Sequence, residues 1–98
     1  MRIGFTQSGG FAGLVLSCRI DTTVLEASER ETVEQLVVSA GIEESCERVS
    51  ETSRDTVTYE IVIERTTLVR VVFDEILLPD AARPLVAYLK GRAKPGLL

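Results

Sequence analysis

The sequence predicts an α+β fold: a four-stranded antiparallel sheet made of two hairpins, with two helices packed on one of its faces. Three observations lead there. Four short segments alternate apolar and polar residues with the period of a strand. Two others carry apolar residues at helical spacing, with a glycine at or near their ends. The order strand, strand, helix also occurs twice along the chain, which suits a sheet with its helices segregated to one side.

Residues 1–7, MRIGFTQ, place Met1, Ile3 and Phe5 on one face, and residues 14–20, LVLSCRI, do the same with Leu14, Leu16, Cys18 and Ile20. They read as a hairpin across the loop 8–13, SGGFAG. A helix over 28–40 follows. Ser28 and Glu31 have the spacing of a capping box, Val33, Leu36, Val37 and Ala40 form the apolar stripe, and Gly41 is placed to end the helix. Residues 43–55, EESCERVSETSRD, are polar and aperiodic and read as a long irregular connection. Residues 56–64 and 68–74 alternate again and form the second hairpin through Arg65, Thr66 and Thr67.

The last helix has Asp80 as its cap, a stripe of Ala82, Leu85, Val86 and Leu89, and Gly91 near its end. Pro84 has to fall in its first turn, because deeper in a helix it removes a hydrogen bond and clashes. The tail, 92–98, is expected to fray. Residues 1–98 together read as one domain; the alternation pattern leaves strand order open.

Composition narrows the function. The 98 residues are 45% apolar and 27% charged, with a net charge of −4. That balance argues against a nucleic-acid partner, which calls for a basic surface. No apolar run reaches the roughly 18–20 residues that span a bilayer, so no membrane partner is expected. The N-terminal stretch MRIGFTQSGG lacks a charged-then-apolar signal pattern, and a cytoplasmic protein is expected.

Chemistry is equally constrained. Histidine is absent, which removes the commonest general base and metal ligand. Cys18 and Cys46 have no metal-type spacing; Cys18 reads as a small buried hydrophobe, Cys46 as a free surface thiol, and a bridge between them is left open by the sequence. No phosphate-binding glycine motif is present. Glu43, Glu44 and Glu47 read as solvated charge, as do Asp74 and Glu75, and Asp74, Glu75 and Asp80 lack a recognisable calcium-loop spacing. Neither an enzyme nor a protein with a cofactor or metal is expected.

Five aromatic residues remain to be placed. Phe5, Tyr59 and Phe73 lie on apolar strand faces and read as core, and Tyr88 reads as a rim residue of the second helix. Phe11 differs: it stands in a loop among glycines. It either projects as an anchor for a partner or folds back as a plug over the sheet end, and both roles are open at this level.

The landmarks, taken in order, resemble the emfourin family, small proteinaceous inhibitors of protealysin-like metalloproteases of the thermolysin family. The matching pieces are I-x-F-x-x-S-G-G-F-A-G-L at 3–14, V-V-S-A-G at 37–41, Y-E-I-V-I-E at 59–64, V-V-F-D-E at 71–75 and P-x-x-x-x-P-L-V-A-Y-L at 79–89. The resemblance implies an inhibitor without cofactor that blocks the active-site cleft of a thermolysin-like zinc protease. Such proteases cleave before bulky apolar residues. On that reading Ser8, Gly9, Gly10, Phe11, Ala12 and Gly13 form the binding loop, with Phe11 filling the pocket and the glycines allowing close backbone approach. A monomer or weak dimer is expected. The rival reading is a non-catalytic interaction or homodimerisation module that pairs through a sheet edge formed by 56–64 and 68–74.

Overall fold

The computed structural model describes residues 1–10, 14–50 and 56–96. Its strands are β1 (Arg2–Ser8), β2 (Leu16–Asp21), β3 (Cys46–Arg48), β4 (Thr58–Glu64), β5 (Leu68–Asp74) and β6 (Lys94–Pro95), and its helices are α1 (Ala27–Ala40) and α2 (Arg83–Arg92). They form one sheet in the order β3-β5-β4-β1-β2-β6. The four long strands pair antiparallel, with β1 and β4 at the centre. The two predicted hairpins therefore exist, joined side by side through β1 and β4.

The expectation of a four-stranded, wholly antiparallel sheet is corrected: six strands form a mixed sheet, because β3 runs parallel to β5. Both additions are too short for an alternation pattern to register. β3 is three residues inside the polar connection, and only Cys46 turns towards the core, while Glu47 and Arg48 are exposed. β6 is two residues in the tail that was expected to fray, and it pairs with Leu16 and Ser17 of β2. Its Pro95 is tolerated because an edge strand has one side that needs no amide donor. Backbone pairing, not side-chain burial, places both.

The core lies between the sheet and the two helices. Ile3, Phe5, Ile20, Tyr59, Ile61, Ile63, Val69, Val71 and Phe73 come from the strands, Val33, Val37 and Ala40 from α1, and Leu85, Val86 and Leu89 from α2. Each large apolar side chain buried here stabilises the fold by about 1.5–3 kcal/mol relative to exposure. The alternation of the sequence holds cleanly in β1 and β4, where Phe5 faces Cys18 on one side and Ile61 on the other, all on the helix-covered face, but β5 also buries Val72 and Asp74 from its other face. Phe5 also stacks with Tyr59, the ring centroids 6.1 Å apart.

The helix ends differ from expectation. α1 starts at Ala27, with Glu26 at the cap position and no side-chain cap. Ser28 already lies inside the helix, where its carbonyl accepts from the Thr32 hydroxyl, so the capping box with Glu31 is not formed. Arg30 ties this end down instead, donating to the carbonyls of Thr22 and Leu25. Gly41 ends α1 in the left-handed conformation, as the sequence requires. Asp80 does not cap α2; it opens a 3₁₀ turn, Asp80–Ala82, with Pro79 ahead of it, and binds Arg83. Pro84 does fall in the first turn of α2.

Candidate functional site

The strand register brings most of the longer connections to one end of the sheet. Ser8 stands beside Thr58, Thr58 beside Asp74, Arg48 beside Phe73, and Leu16 beside both Gln7 and Pro95. The chain after β1, the chain before β2, the chain between β3 and β4, and the chain after β5 all leave from this end. At the usual spacing of about 4.8 Å between strands, β5 and β2 lie about 14 Å apart.

Ser8, Gly9 and Gly10 of the predicted loop sit at the centre of this end, because β1 is a central strand. Gly9 has φ +90° and Gly10 φ +84°, a backbone region that other residues rarely adopt. Their reasons for being glycine differ. A Cβ on Gly9 would stand 2.8 Å from the carbonyl oxygen of Thr56, a contact real structures do not make, whereas one on Gly10 would meet only the Val57 Cγ2 at 3.5 Å. The fold itself demands Gly9; at Gly10 the backbone conformation is the only demand. Phe11, Ala12 and Gly13 lie outside the described residues.

This end also carries exposed apolar side chains: Leu14, which the alternation assigns to the core face of the second strand, lies ahead of β2 and is exposed, and the others are assigned to no apolar face. Leu14 (49% exposed), Val49 (43%), Ile76 (59%) and Leu77 (44%) all lie in segments at this end, and they are four of the seven large apolar residues exposed among the described residues. Their signal in the sequence is the run Ile76, Leu77, Leu78 after β5, apolar yet outside any periodic element. Leu78 alone of the three is buried.

A buried carboxylate organises this rim. Asp74, the last residue of β5, is fully buried, and its partners include the amide of Leu77 at 2.7 Å and the amide of Ser50 at 2.5 Å. One side chain thus fixes the turn after β5 and the chain after β3 together. The amide of Glu75 donates to the carbonyl of Val57, which joins the same turn to β4.

Beneath the rim a second polar cluster locks α2 to the sheet. The Tyr59 hydroxyl donates to Glu75 Oε2 at 2.5 Å and accepts from Lys90 Nζ at 3.2 Å, and Glu75 Oε1 is 3.0 Å from Arg83. The Tyr59 hydroxyl, ahead of the Arg83 guanidinium, holds the Glu75 carboxyl below its ordinary value. Burial, followed by the Glu75 carboxylate, pushes the Tyr59 hydroxyl well above the usual tyrosine range.

The remaining candidates dissolve on inspection. Asp74, Glu75 and Asp80 serve the backbone amides, Tyr59 and Arg83, so each carboxylate has a structural occupation. Among the described residues no three carboxylate or thiol groups are placed to hold a metal. Cys18 and Cys46 are both free and half-buried; Cys18 points its thiol at the carbonyl of Leu89, and burial raises its pKa. No helix among the described residues is long and apolar enough to cross a membrane.

The other face of the sheet carries a shallow concavity of about 580 Å³ around Gly4, lined by Arg2, Thr6, Arg19, Asp21, Glu60, Val62 and Glu64. Its lining is mostly charged, with Arg2 against Asp21 and Glu60 held by Arg70 from outside it. Of the strands assigned by the rival reading to edge pairing, β4 is internal and β5 is covered over part of its length. β4 is flanked by β1 and β5, and β3 covers Val71–Phe73 of β5.

The described residues define a small two-layer α+β domain in which Asp74, Glu75 and Asp80 are engaged by the fold and several exposed apolar side chains gather at the loop-bearing end of the sheet. Compared with known families, residues 5–90 match the emfourin family, and the chain belongs to that family, which is one of protease inhibitors and not of enzymes. No curated protein and no solved structure matches the chain.

Proposed function

We propose that this protein inhibits a thermolysin-like zinc metalloprotease of the protealysin type by blocking its active-site cleft, with the turn 8–13 in the interface. The observation that carries the reading is the pair of left-handed glycines, Gly9 and Gly10, at the exposed end of a central strand of an emfourin-family chain. β1 is paired on both sides, which fixes the strand end from which Gly9 and Gly10 continue. Two successive residues without side chains let a cleft wall approach the main chain and exchange hydrogen bonds with it.

Phe11 supplies the apolar anchor in this reading, filling the pocket that accepts a bulky substrate side chain. The cytoplasm is the compartment the proposal assumes, and two unbridged cysteines accord with it. Titration of a thermolysin-like protease with the purified protein is the direct test. Loss of peptidase activity at near-equimolar inhibitor is expected, and an enzyme that stays fully active in a large excess would remove the proposal. Within it, Phe11→Ala should raise the inhibition constant about 30-fold, the effect of losing an aromatic anchor worth about 2 kcal/mol. An unchanged constant in a folded variant would return Phe11 to the role of core plug.

A further inference from the structure

We propose that the interface has a second arm: Ile76 and Leu77, with Val49 beside them, dock on an apolar rim of the same protease cleft that the glycine turn enters. This rests on the inhibitor reading and extends it to residues that reading does not use.

Size supplies the first argument. A stable protein–protein interface takes about 800 Å² and 20–30 residues from each partner. The turn 8–13 offers six residues, three of them glycine, so a body that binds it firmly must also rest on neighbouring surface. The neighbours are fixed by strand order: β5 lies two strands from β1, about 10 Å away. A protease seated over Gly9 and Gly10 therefore reaches the turn that follows β5.

The surface it meets there is apolar and pre-set. Ile76 and Leu77 are left outside the core while Leu78 enters it. Exposure alone is common, but here the exposed pair is held: the Leu77 amide is bound by the fully buried Asp74 carboxylate, which also binds the Ser50 amide next to Val49. Apolar side chains fixed in this way bind with a smaller ordering penalty than those on a loose loop. Of the charges beside Ile76 and Leu77, Glu75 is paired with Tyr59 and Arg83, and Arg83 with Asp80. An uncharged, apolar partner surface is the complement of such a patch.

The test uses the full chain and the protease that wild-type protein inhibits. Ile76→Asp and Leu77→Asp are exposed substitutions, and Val38→Asp, on the solvent side of α1 and 71% exposed, is the control. Each of the first two is expected to weaken inhibition at least tenfold with an unchanged thermal midpoint, while Val38→Asp inhibits as wild type does. Wild-type inhibition constants for Ile76→Asp and Leu77→Asp would overturn the second arm and leave the inhibitor reading standing. A wild-type protein that inhibits no thermolysin-like protease would overturn both. Gel filtration of the free protein closes the remaining route: a dimer that Ile76→Asp breaks would assign the patch to a second copy of the chain and overturn the proposal.

Discussion

Gly9 passes so close to Thr56 that a single added methyl group would lie 2.8 Å from the Thr56 carbonyl oxygen. The carbonyl is backbone and cannot swing aside, and φ at Gly9 is +90°. Gly9→Ala should therefore destabilise the protein by about 2–4 kcal/mol, from clash and backbone strain together. Gly10→Ala has space beside Val57 and should cost about 1–2 kcal/mol from strain alone. Urea unfolding of the two variants checks the order; equal losses would show that the contact with Thr56 is not what fixes Gly9.

Asp74 holds two segments through their amides, and replacing it leaves buried donors unsatisfied. Asp74→Ala is expected to lower stability by about 2–4 kcal/mol. Asp74→Asn retains one acceptor oxygen and should lose less. Denaturant titration ranks the pair, and amide exchange at Leu77 and Ser50 should quicken in both variants before exchange in the core strands does.

The Tyr59–Glu75 hydrogen bond predicts a pH dependence with a definite sign. The folded state holds the Glu75 carboxyl below its ordinary value of 4.5, chiefly through the Tyr59 hydroxyl. Its contribution is therefore full above about pH 4.5 and is lost as the pH falls through the lower, folded-state value. Tyr59→Phe should remove about 1–2 kcal/mol at neutral pH and flatten the acid limb of the stability curve. At the alkaline end the folded state holds the Tyr59 hydroxyl above its ordinary value, so its contribution is full below about pH 10 and declines as the pH rises beyond it, a limb that Tyr59→Phe lacks. Thermal midpoints across pH 3–11 for both proteins test it.

Truncation after Ala93 tests the smallest strand. β6 pairs with β2, the Ser17 hydroxyl donates to the Gly96 carbonyl, and the Gly96 amide donates to the carbonyl of Val15. Removing these bonds should lower stability by about 1–2 kcal/mol, since the entropy regained by the freed tail offsets part of the loss. A tail that merely frays would give no change.

Local patterns carried much of this protein. Period-two alternation located the four long strands because each lays one apolar face on the core, as Ile3 and Phe5 or Ile61 and Ile63 do, and that face is all that alternation records, so the burial of Val72 and Asp74 on the other face of β5 went unmarked. Helical spacing located α1 and α2 for the same reason, and Gly41 marked the end of α1 because its left-handed conformation favours glycine. The capping box failed where tertiary contact overrode it: Arg30, reaching back to Thr22 and Leu25, holds the start of α1 without Ser28. β3 and β6 left no pattern, since their positions depend on the backbone of β5 and β2 and hardly on their own side chains.

The glycine loop divides along the same line. Its composition, glycines around one phenylalanine, singled it out from the sequence, and the order of landmarks placed the chain in its family. Which glycine the fold itself requires was decided by Thr56, which is 47 positions away in sequence and one strand away in space. The rim of Val49, Ile76 and Leu77, and the Asp74 carboxylate that joins its two halves, likewise exist only once β3 and β5 lie side by side. Sequence by itself determined which segments bury a face, because burial repeats with the period of the local structure; the tertiary structure alone decided which loops share an end, because strand order and register are set by distant pairings that no local period records.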